Sequence, residues 1–327
     1  MILAPGSREA ALITVAGARR GATMPARGAE AIPKLSRAMH HPISYFQAVI
    51  LGLVQGVAEP FPISSLGHAV VLPRLAGWNI HQNDKFFLTF LVATHLATAL
   101  VLLLFFARDW LRIVRGLWRS LQMREIRADD VDARLGWLLV AGTIPVGIIG
   151  LVLESVLRKL FASPEIAAAF LVVNGIALLI FERLRRRPPR PGDYLGDADA
   201  RIAKLSWRQA ISVGTSQAAA LVPGISRSGF SMGGGLVVGL SNEDAARYSF
   251  LLATPIIGAA AALKLPELAG KSGHVIGTAL VGAACAAITA YLSVRFLLKY
   301  FETNTLTPFA VYCVIAGTLC TIGFALT

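Results

Sequence analysis

The chain has 327 residues, of which 55% are apolar and 15% are charged, and its mean hydropathy is +0.63. Soluble globular domains carry about 25% charged residues, so this composition excludes an ordinary soluble domain and predicts a polytopic membrane protein. The formal net charge of +12 does not indicate nucleic-acid binding, because the basic residues flank apolar stretches, as in cytoplasmic loops that face anionic lipid.

An N-terminal extension, assigned to 1–41, differs in composition from the rest of the chain. It is rich in Ala, Arg and Gly and shows no helical or strand periodicity. Its apolar stretch LITVAGA is short and is followed at once by Arg19 and Arg20, which argues against a signal peptide. We expect a disordered segment or an upstream start assignment, with Met39 as the true start.

Several apolar stretches have about the 20 residues that a helix needs to cross a bilayer. They lie at about 86–106, 136–153, 166–181, 246–263, 275–298 and 306–326. The three cysteines, at positions 285, 313 and 320, lie inside these stretches. Their spacing matches no metal site and their odd number argues against a disulfide framework, so we interpret them as packing residues.

The sequence repeats itself at an offset of 162 residues. QAVILGLVQ at 47–55 aligns with QAISVGTSQ at 209–217, and at the same offset FPISSLGH at 61–68 aligns with PGISRSGF at 223–230. Identical residues recur without a gap in the two most polar parts of the apolar sequence. We infer that the two halves are copies of one unit.

The distribution of Lys and Arg predicts how the copies lie in the membrane. The connection 107–135 has seven basic residues and 182–208 has eight, so both are assigned to the cytoplasm. Threading the apolar spans accordingly gives the copies opposite orientations, the inverted-repeat plan of many transporters. For this parity to hold, 44–80 and 207–241 must each enter and leave on one side, as re-entrant hairpins.

The predicted fold class is therefore an all-α polytopic membrane protein with an inverted-topology repeat, each half one re-entrant helical hairpin plus three transmembrane helices. The first repeat covers 42–185, a cytoplasmic loop 186–206, and the second repeat 207–327. The mixed acidic and basic stretch 185–204 is interpreted as solvated loop. We expect the hairpin tips to meet near the bilayer midplane, where surrounding protein can satisfy non-helical backbone.

The two hairpin tips carry ionisable and hydroxyl groups, which inside a membrane are functional candidates. Those of the first tip are Glu59, Ser64, Ser65 and His68, and those of the second are Ser226, Arg227 and Ser228. A guanidinium between serines suits a phosphate group, whereas Glu59 with His68 suits acid–base chemistry or a divalent metal. Ser65 is a candidate nucleophile.

Structural interpretations stand beside these functional ones. The serines could cap helices, His68 could be a packed and hydrogen-bonded histidine, and Glu59 could be only an ion-pair partner of Arg227. Four other polar residues of the apolar spans are interpreted as structural: His95, Thr143, Asn174 and Glu182.

The stretches VQGVAEPFPISSLGHAVVL and ALVPGISRSGFSMGGGLVVGLS resemble the two signature motifs of the bacterial undecaprenyl-pyrophosphate phosphatase family, also known for bacitracin resistance. The resemblance covers about 42–327. It implies an inner-membrane hydrolase that removes the terminal phosphate from the C55 isoprenyl pyrophosphate, with its site facing the periplasm. It also implies a divalent cation, Mg or Ca, as cofactor, and undecaprenyl pyrophosphate and membrane lipid as partners; homo-oligomerisation stays open.

The resemblance assigns roles by motif position. Ser65 matches the proposed nucleophile, His68 the motif histidine and Arg227 the phosphate-binding arginine. Gln55 and Glu59 occupy the positions expected to hold the metal, but Gln55 stands where many members have Glu, so one carboxylate is missing. The accessory groups around the phosphates are Ser64, Ser226 and Ser228.

Hydrolysis of a lipid pyrophosphate has two alternatives. An inverted-repeat transporter or lipid-carrier flippase without hydrolysis would use the same architecture. The membrane lipid phosphatases that resemble acid phosphatases need a histidine six residues after the motif arginine and an aspartate four residues later. Gly233 and Val237 occupy those positions, which excludes that class.

Overall fold

The computed structural model describes residues 43–80, 85–160, 163–185, 197–264 and 273–326. The predicted extension over 1–41 therefore lies outside the described residues, as does 186–196 of the predicted loop. Within the described ranges all regular elements are helical. They are α1 (Tyr45–Ala58), α2 (Ser65–Leu75), α3 (Lys85–Phe105), α4 (Ala107–Met123), α5 (Val131–Leu160), α6 (Pro164–Leu184), α7 (Ala198–Ile202), α8 (Trp207–Ser216) followed by a 3₁₀ turn (Gln217–Leu221), α9 (Arg227–Val238), α10 (Asn242–Lys264), α11 (Gly273–Tyr300) and α12 (Thr307–Leu326).

Five of these helices contain segments long and apolar enough to cross a membrane. The segments are Phe86–Phe105, Val131–Leu153, Pro164–Leu184, Gly273–Tyr300 and Thr307–Leu326. The prediction of an all-helical, polytopic membrane protein is thus confirmed for the described part of the chain. The sixth predicted span, 246–263, lies in α10, which is helical but is not among the five; its first two turns carry Glu243, Asp244 and Arg247.

Two pairs of short helices take the places of the predicted hairpins. With 14 and 11 residues in α1 and α2, and 10 and 12 in α8 and α9, each helix is too short to span a bilayer alone. The helices α1 and α8 begin alike, because Ser44 with Gln47 and Ser206 with Gln209 each form a reciprocal capping box. The sequence repeat therefore reappears as equivalent helix starts.

The second helix of each hairpin also begins alike. Ser64 caps α2 by accepting a hydrogen bond from the Gly67 N–H, and Ser226 caps α9 by accepting one from the Gly229 N–H. The two caps are 162 residues apart, which is the offset of the sequence repeat.

The two hairpin tips touch each other. A Cβ atom added at Gly67 would lie 3.0 Å from the Cα of Gly224, so the start of α2 packs directly on the turn before α9. Gly224 has φ +96°, a conformation that favours glycine, and its missing side chain leaves room for the backbone of α6. Helix α6 packs against both α2 and α9. The tips thus meet in a junction that α6 covers.

The prediction of a solvated loop over 185–204 was wrong for its last part. Residues 198–202 form α7, and Asp199 is only 1% exposed. Its carboxylate accepts hydrogen bonds from Arg112, at 3.0 Å, and from Arg247, at 2.8 and 3.0 Å. A carboxylate can be buried when charged donors compensate for lost hydration, and here these donors come from α4 and α10.

Candidate active site

Glu59 lies at the end of α1, in the first hairpin tip, and is 7% exposed. Its Oε2 accepts a 2.5 Å hydrogen bond from the Ser65 hydroxyl, at the start of α2. Its Oε1 accepts a 2.7 Å hydrogen bond from Nη2 of Arg227, at the start of α9. The structure therefore brings a hydroxyl from the first tip and a guanidinium from the second tip to one carboxylate.

His95, on α3, is a further ionisable group at this carboxylate. Its Nε2 lies 3.4 Å from Oε2 of Glu59, and its Nδ1 lies 2.8 Å from the Leu91 carbonyl oxygen. A carbonyl only accepts, so we infer that Nδ1 carries a proton. Nε2 is the ring nitrogen that faces the carboxylate. The purely structural interpretation of His95 is therefore revised.

His68 does not contact Glu59, with which we expected it to carry out acid–base chemistry or to hold a metal. Its Nδ1 lies 2.8 Å from the Ser64 carbonyl oxygen, and its Nε2 lies 2.8 Å from the hydroxyl of Tyr312 on α12. The imidazole and phenol rings also stack, with centroids 5.8 Å apart. The carbonyl requires Nδ1–H, and in a neutral imidazole Nε2 then accepts from the tyrosine hydroxyl. The imidazole beside the carboxylate is thus that of His95, and His68 makes no hydrogen bond to it.

The three accessory serines bond protein groups at the tip junction. Ser64 caps α2 with a positive φ of +69°, a strained conformation for a residue with a side chain. The Ser228 hydroxyl donates to the Phe61 carbonyl oxygen at 2.9 Å and lies 3.0 Å from the Ser226 hydroxyl. These contacts support the capping interpretation and also connect the second tip to the first.

Asn174 joins the two tips from α6. Its Oδ1 accepts a 2.9 Å hydrogen bond from the backbone N–H of Ser226, and its Nδ2 donates a 3.0 Å bond to the Pro62 carbonyl oxygen. The side chain is 0% exposed. A residue that we interpreted as structural thus bonds the backbone next to Arg227 and the backbone that follows Glu59. No sequence motif contains it, and its only signal was a polar side chain within an apolar span.

Two buried polar atoms at the carboxylate have no hydrogen-bond partner within the described chain. Gln55 donates from Nε2 to Oε2 of Glu59 at 3.1 Å, but its Oε1 is unpaired. Nη1 of Arg227 is also buried and unpaired. Unpaired buried donors and acceptors are costly, so these two atoms mark where a ligand would complete the site.

Comparison with known proteins places this arrangement in a family. The family described as Bacitracin resistance protein BacA matches residues 48–319, a range that includes both hairpin tips. The chain belongs to the BacA family.

Curated relatives resemble this BacA-family chain over nearly their whole length. It is 49% identical over 302 residues to the undecaprenyl-diphosphatase of Mycolicibacterium paratuberculosis, an alignment that covers 87% of this chain and 98% of the relative. It is 45% identical over 343 residues to undecaprenyl-diphosphatase 2 of Frankia alni, covering 88% and 99%. It is 44% identical over 280 residues to the undecaprenyl-diphosphatase of Acidiphilium cryptum, covering 83% and 95%.

The donor set of this BacA-family site is compatible with a divalent cation. The described residues contain no group of three or more His, Cys, Asp or Glu that could hold a metal alone. Mg²⁺, however, is commonly held by one or two carboxylates together with substrate phosphates and water. Glu59 supplies one carboxylate and Gln55 supplies an unpaired amide oxygen, so these residues fit a cation that binds together with a diphosphate.

Proposed function

We propose that this chain is an undecaprenyl-diphosphatase, which hydrolyses the C55 isoprenyl pyrophosphate to the monophosphate lipid carrier and inorganic phosphate. This reaction recycles the carrier for cell-wall assembly and accounts for an association with bacitracin resistance. The observation that carries the proposal is the meeting of Arg227 and Ser65 on the Glu59 carboxylate. The name shared by the relatives supports the same substrate.

Substrate binding would use Arg227. Its Nη1 is unpaired and can donate to a phosphate oxygen, and a bidentate contact forms when Nη2 also exchanges Glu59 for a second phosphate oxygen. It stands in the first turn of α9, where backbone N–H groups and the helix dipole also favour an anion. The hydroxyls of Ser64, Ser226 and Ser228 lie around the same tip junction and serve as accessory donors.

Hydrolysis would begin at Ser65. Because its hydroxyl already donates to Glu59, the carboxylate is in place as a general base. Ser65 Oγ forms a bond to the terminal phosphorus, its proton passes to Glu59, and the bond from that phosphorus to the bridging oxygen breaks. The monophosphate lipid leaves.

Water completes the reaction. Its oxygen bonds to the phosphorus of the phosphoserine, the Ser65 Oγ–phosphorus bond breaks, the proton on Glu59 returns to Oγ, and inorganic phosphate leaves with the two protons of the water. Direct attack by water activated at Glu59 gives the same products, so trapping a phosphoserine is what separates the two routes. His68 is also included in the proposed catalytic set, and Tyr312 holds its ring in place.

A divalent cation, Mg or Ca, is included in the proposal through Gln55 and Glu59. When bound, it would neutralise negative charge on the diphosphate oxygens. The proton transfers between Ser65 and Glu59 do not involve the cation.

The proposal also includes the finer topology. The two halves, 42–185 and 207–327, form an inverted repeat joined by a cytoplasmic loop over 186–206. The site faces the periplasm of a bacterial inner membrane. Support comes from the equivalent starts of α1 and α8. Each of these helices also packs against a helix of the other half, α1 against α11 and α8 against α5. The basic connections supply the orientation.

Release of inorganic phosphate tests the function. The purified full chain in detergent, given undecaprenyl pyrophosphate and Mg²⁺, should release phosphate with turnover. A transporter or flippase would release none, and the comparisons give that alternative no support. No release at any Mg²⁺ or Ca²⁺ concentration, from a chain that is folded, would overturn the proposal.

A further inference from the structure

Helix α4, Ala107–Met123, packs on the protein through one narrow face. This face contains Ile113, Gly116 and Ser120, which are buried, and it lies against α5. A side chain at Gly116 would collide with the backbone at Ala133, so the contact is close. The Ser120 hydroxyl also accepts a 2.9 Å hydrogen bond from the Trp137 indole. These contacts fix the rotation of α4, and with it the direction of its other two faces.

The second face of α4 is apolar and points away from the protein. It carries Leu111, Val114, Trp118 and Leu121, each between 55% and 63% exposed. Their spacing of three, four and three residues places them in one sector of the helix. A contiguous exposed apolar sector marks a surface that another apolar phase covers.

The third face of α4, beside the apolar sector, is basic. Its members are Arg108, Arg112, Arg115 and Arg119. Arg112 bonds Asp109 and Asp199, and Arg119 bonds Asp130 through two nitrogens. The exposed side chains of Arg108 and Arg115 make no ion pair with the described part of the chain. Two guanidinium groups are therefore available to anions outside the protein.

The place of α4 in the fold identifies what covers these faces. The helix follows Phe86–Phe105 and precedes Val131–Leu153, two segments apolar enough to cross a membrane. It therefore starts and ends where spanning helices leave the hydrocarbon. A helix with adjacent apolar and basic faces at that level lies in the membrane interface, with Trp at the headgroup level and arginines near lipid phosphates.

We propose that α4 is an interfacial helix that binds anionic phospholipid. Arg108 and Arg115 contact the lipid phosphates, and the sector from Leu111 to Leu121 lies at the boundary with the acyl chains. None of these residues contacts Glu59, Ser65 or Arg227. The inference therefore goes beyond the proposed hydrolysis and does not depend on it.

The basic face is tested by lipid selectivity. The full chain is equilibrated with equal amounts of phosphatidylglycerol and phosphatidylcholine, and the retained lipids are counted by native mass spectrometry. We expect the wild type to favour phosphatidylglycerol, and Arg108→Gln with Arg115→Gln to lower that preference by about fivefold per arginine. The control, Arg108→Lys with Arg115→Lys, keeps both positive charges on α4 and should keep most of the preference. Equal preference in the wild type and the α4 variant would overturn the inference.

The apolar face is tested by depth. In vesicles of brominated phosphatidylcholine with phosphatidylglycerol, Trp118→Phe should lower lipid quenching of tryptophan fluorescence, whereas Trp110→Phe, which removes an indole packed on the core, should not. Quenching that is equal in Trp118→Phe and the wild type would contradict insertion. A stable dimer that Leu111→Arg dissociates would assign this face to a second copy of the chain and would likewise overturn the inference.

Discussion

Arg227 and Glu59 are 168 residues apart in sequence, and the arginine donates a 2.7 Å hydrogen bond to the carboxylate in the structure. Both side chains are largely buried and each belongs to a different hairpin tip. A buried ion pair contributes little stability by itself, because both charges lose hydration. The carboxylate of this pair also bonds the Ser65 hydroxyl, and Nη1 of the guanidinium is unpaired. We infer that the guanidinium can exchange the carboxylate for an anionic ligand.

The first prediction concerns the guanidinium. Arg227→Ala removes the phosphate-binding donors and should lower kcat/KM for phosphate release by about 10²–10³-fold. Arg227→Lys keeps the charge but loses the planar pair of donors, so it should recover only part of the activity. The control is Arg127→Ala, which breaks an exposed pair with Asp129 and should leave turnover near normal. Near-normal turnover in Arg227→Ala would remove this residue from the site.

The second prediction concerns the nucleophile. Rapid acid quenching during turnover of radiolabelled substrate should trap phosphate on Ser65, because its hydroxyl is already bonded to the base. Ser65→Ala should give no labelled protein and should lose most activity. If Ser65→Ala stays active and no phosphoserine is found in the wild type, water is the direct nucleophile. The control, Ser212→Ala, removes an exposed hydroxyl bonded only within α8.

The third prediction concerns Asn174, which bonds both tips. Asn174→Ala leaves the Ser226 N–H and the Pro62 carbonyl without this partner, which should destabilise the protein by about 1–3 kcal/mol. Because it also loosens the placement of Arg227 relative to Glu59, kcat should fall by up to about 10²-fold while KM changes less. Thermal unfolding and steady-state kinetics in the same detergent measure both effects.

The control for Asn174 is Asn304→Ala, whose amide donates only within its own turn, to the Tyr300 carbonyl oxygen and the Thr303 hydroxyl. A variant of Asn174 that loses stability but keeps its kcat would show that the amide supports the fold and does not position the site.

The fourth prediction concerns the missing carboxylate. Gln55→Glu adds a second acidic oxygen pair one helical turn from Glu59, and metal affinity rises with ligand charge. The Mg²⁺ concentration for half-maximal phosphate release should therefore fall by roughly tenfold. Calorimetric titration of Mn²⁺ into the protein in complex with a non-hydrolysable diphosphate measures the metal affinity and provides a second readout. An unchanged Mg²⁺ requirement would argue that Gln55 is not a metal ligand.

Much of the fold could be predicted because it depends on local chemistry. A membrane-spanning helix needs a long apolar stretch, and five such stretches became helices. The pairs of short helices could be predicted because the repeat placed a capping Ser and a Gly at the same offset in both halves, and their re-entrant path stays a prediction. The repeat also indicated that Glu59 and Arg227 would approach each other.

Other parts depend on contacts between distant residues and could not be predicted in this way. His95 and Asn174 reach the site from α3 and α6, and neither belongs to a motif. Asp199 is buried only because Arg112 and Arg247 reach it from other helices. The helix α4 had a readable amphipathic spacing, but its arginine content was interpreted only as the charge of a connection.

The central claim is that Glu59, where the two hairpin tips meet, is the general base for hydrolysis of the diphosphate. Its most direct test is phosphate release from undecaprenyl pyrophosphate by purified wild type and Glu59→Gln, which has the same shape but no negative charge. We predict multiple turnovers for the wild type and a loss of about 10²–10⁴-fold for the variant, with both proteins folded. Equal rates in the two proteins would contradict the claim.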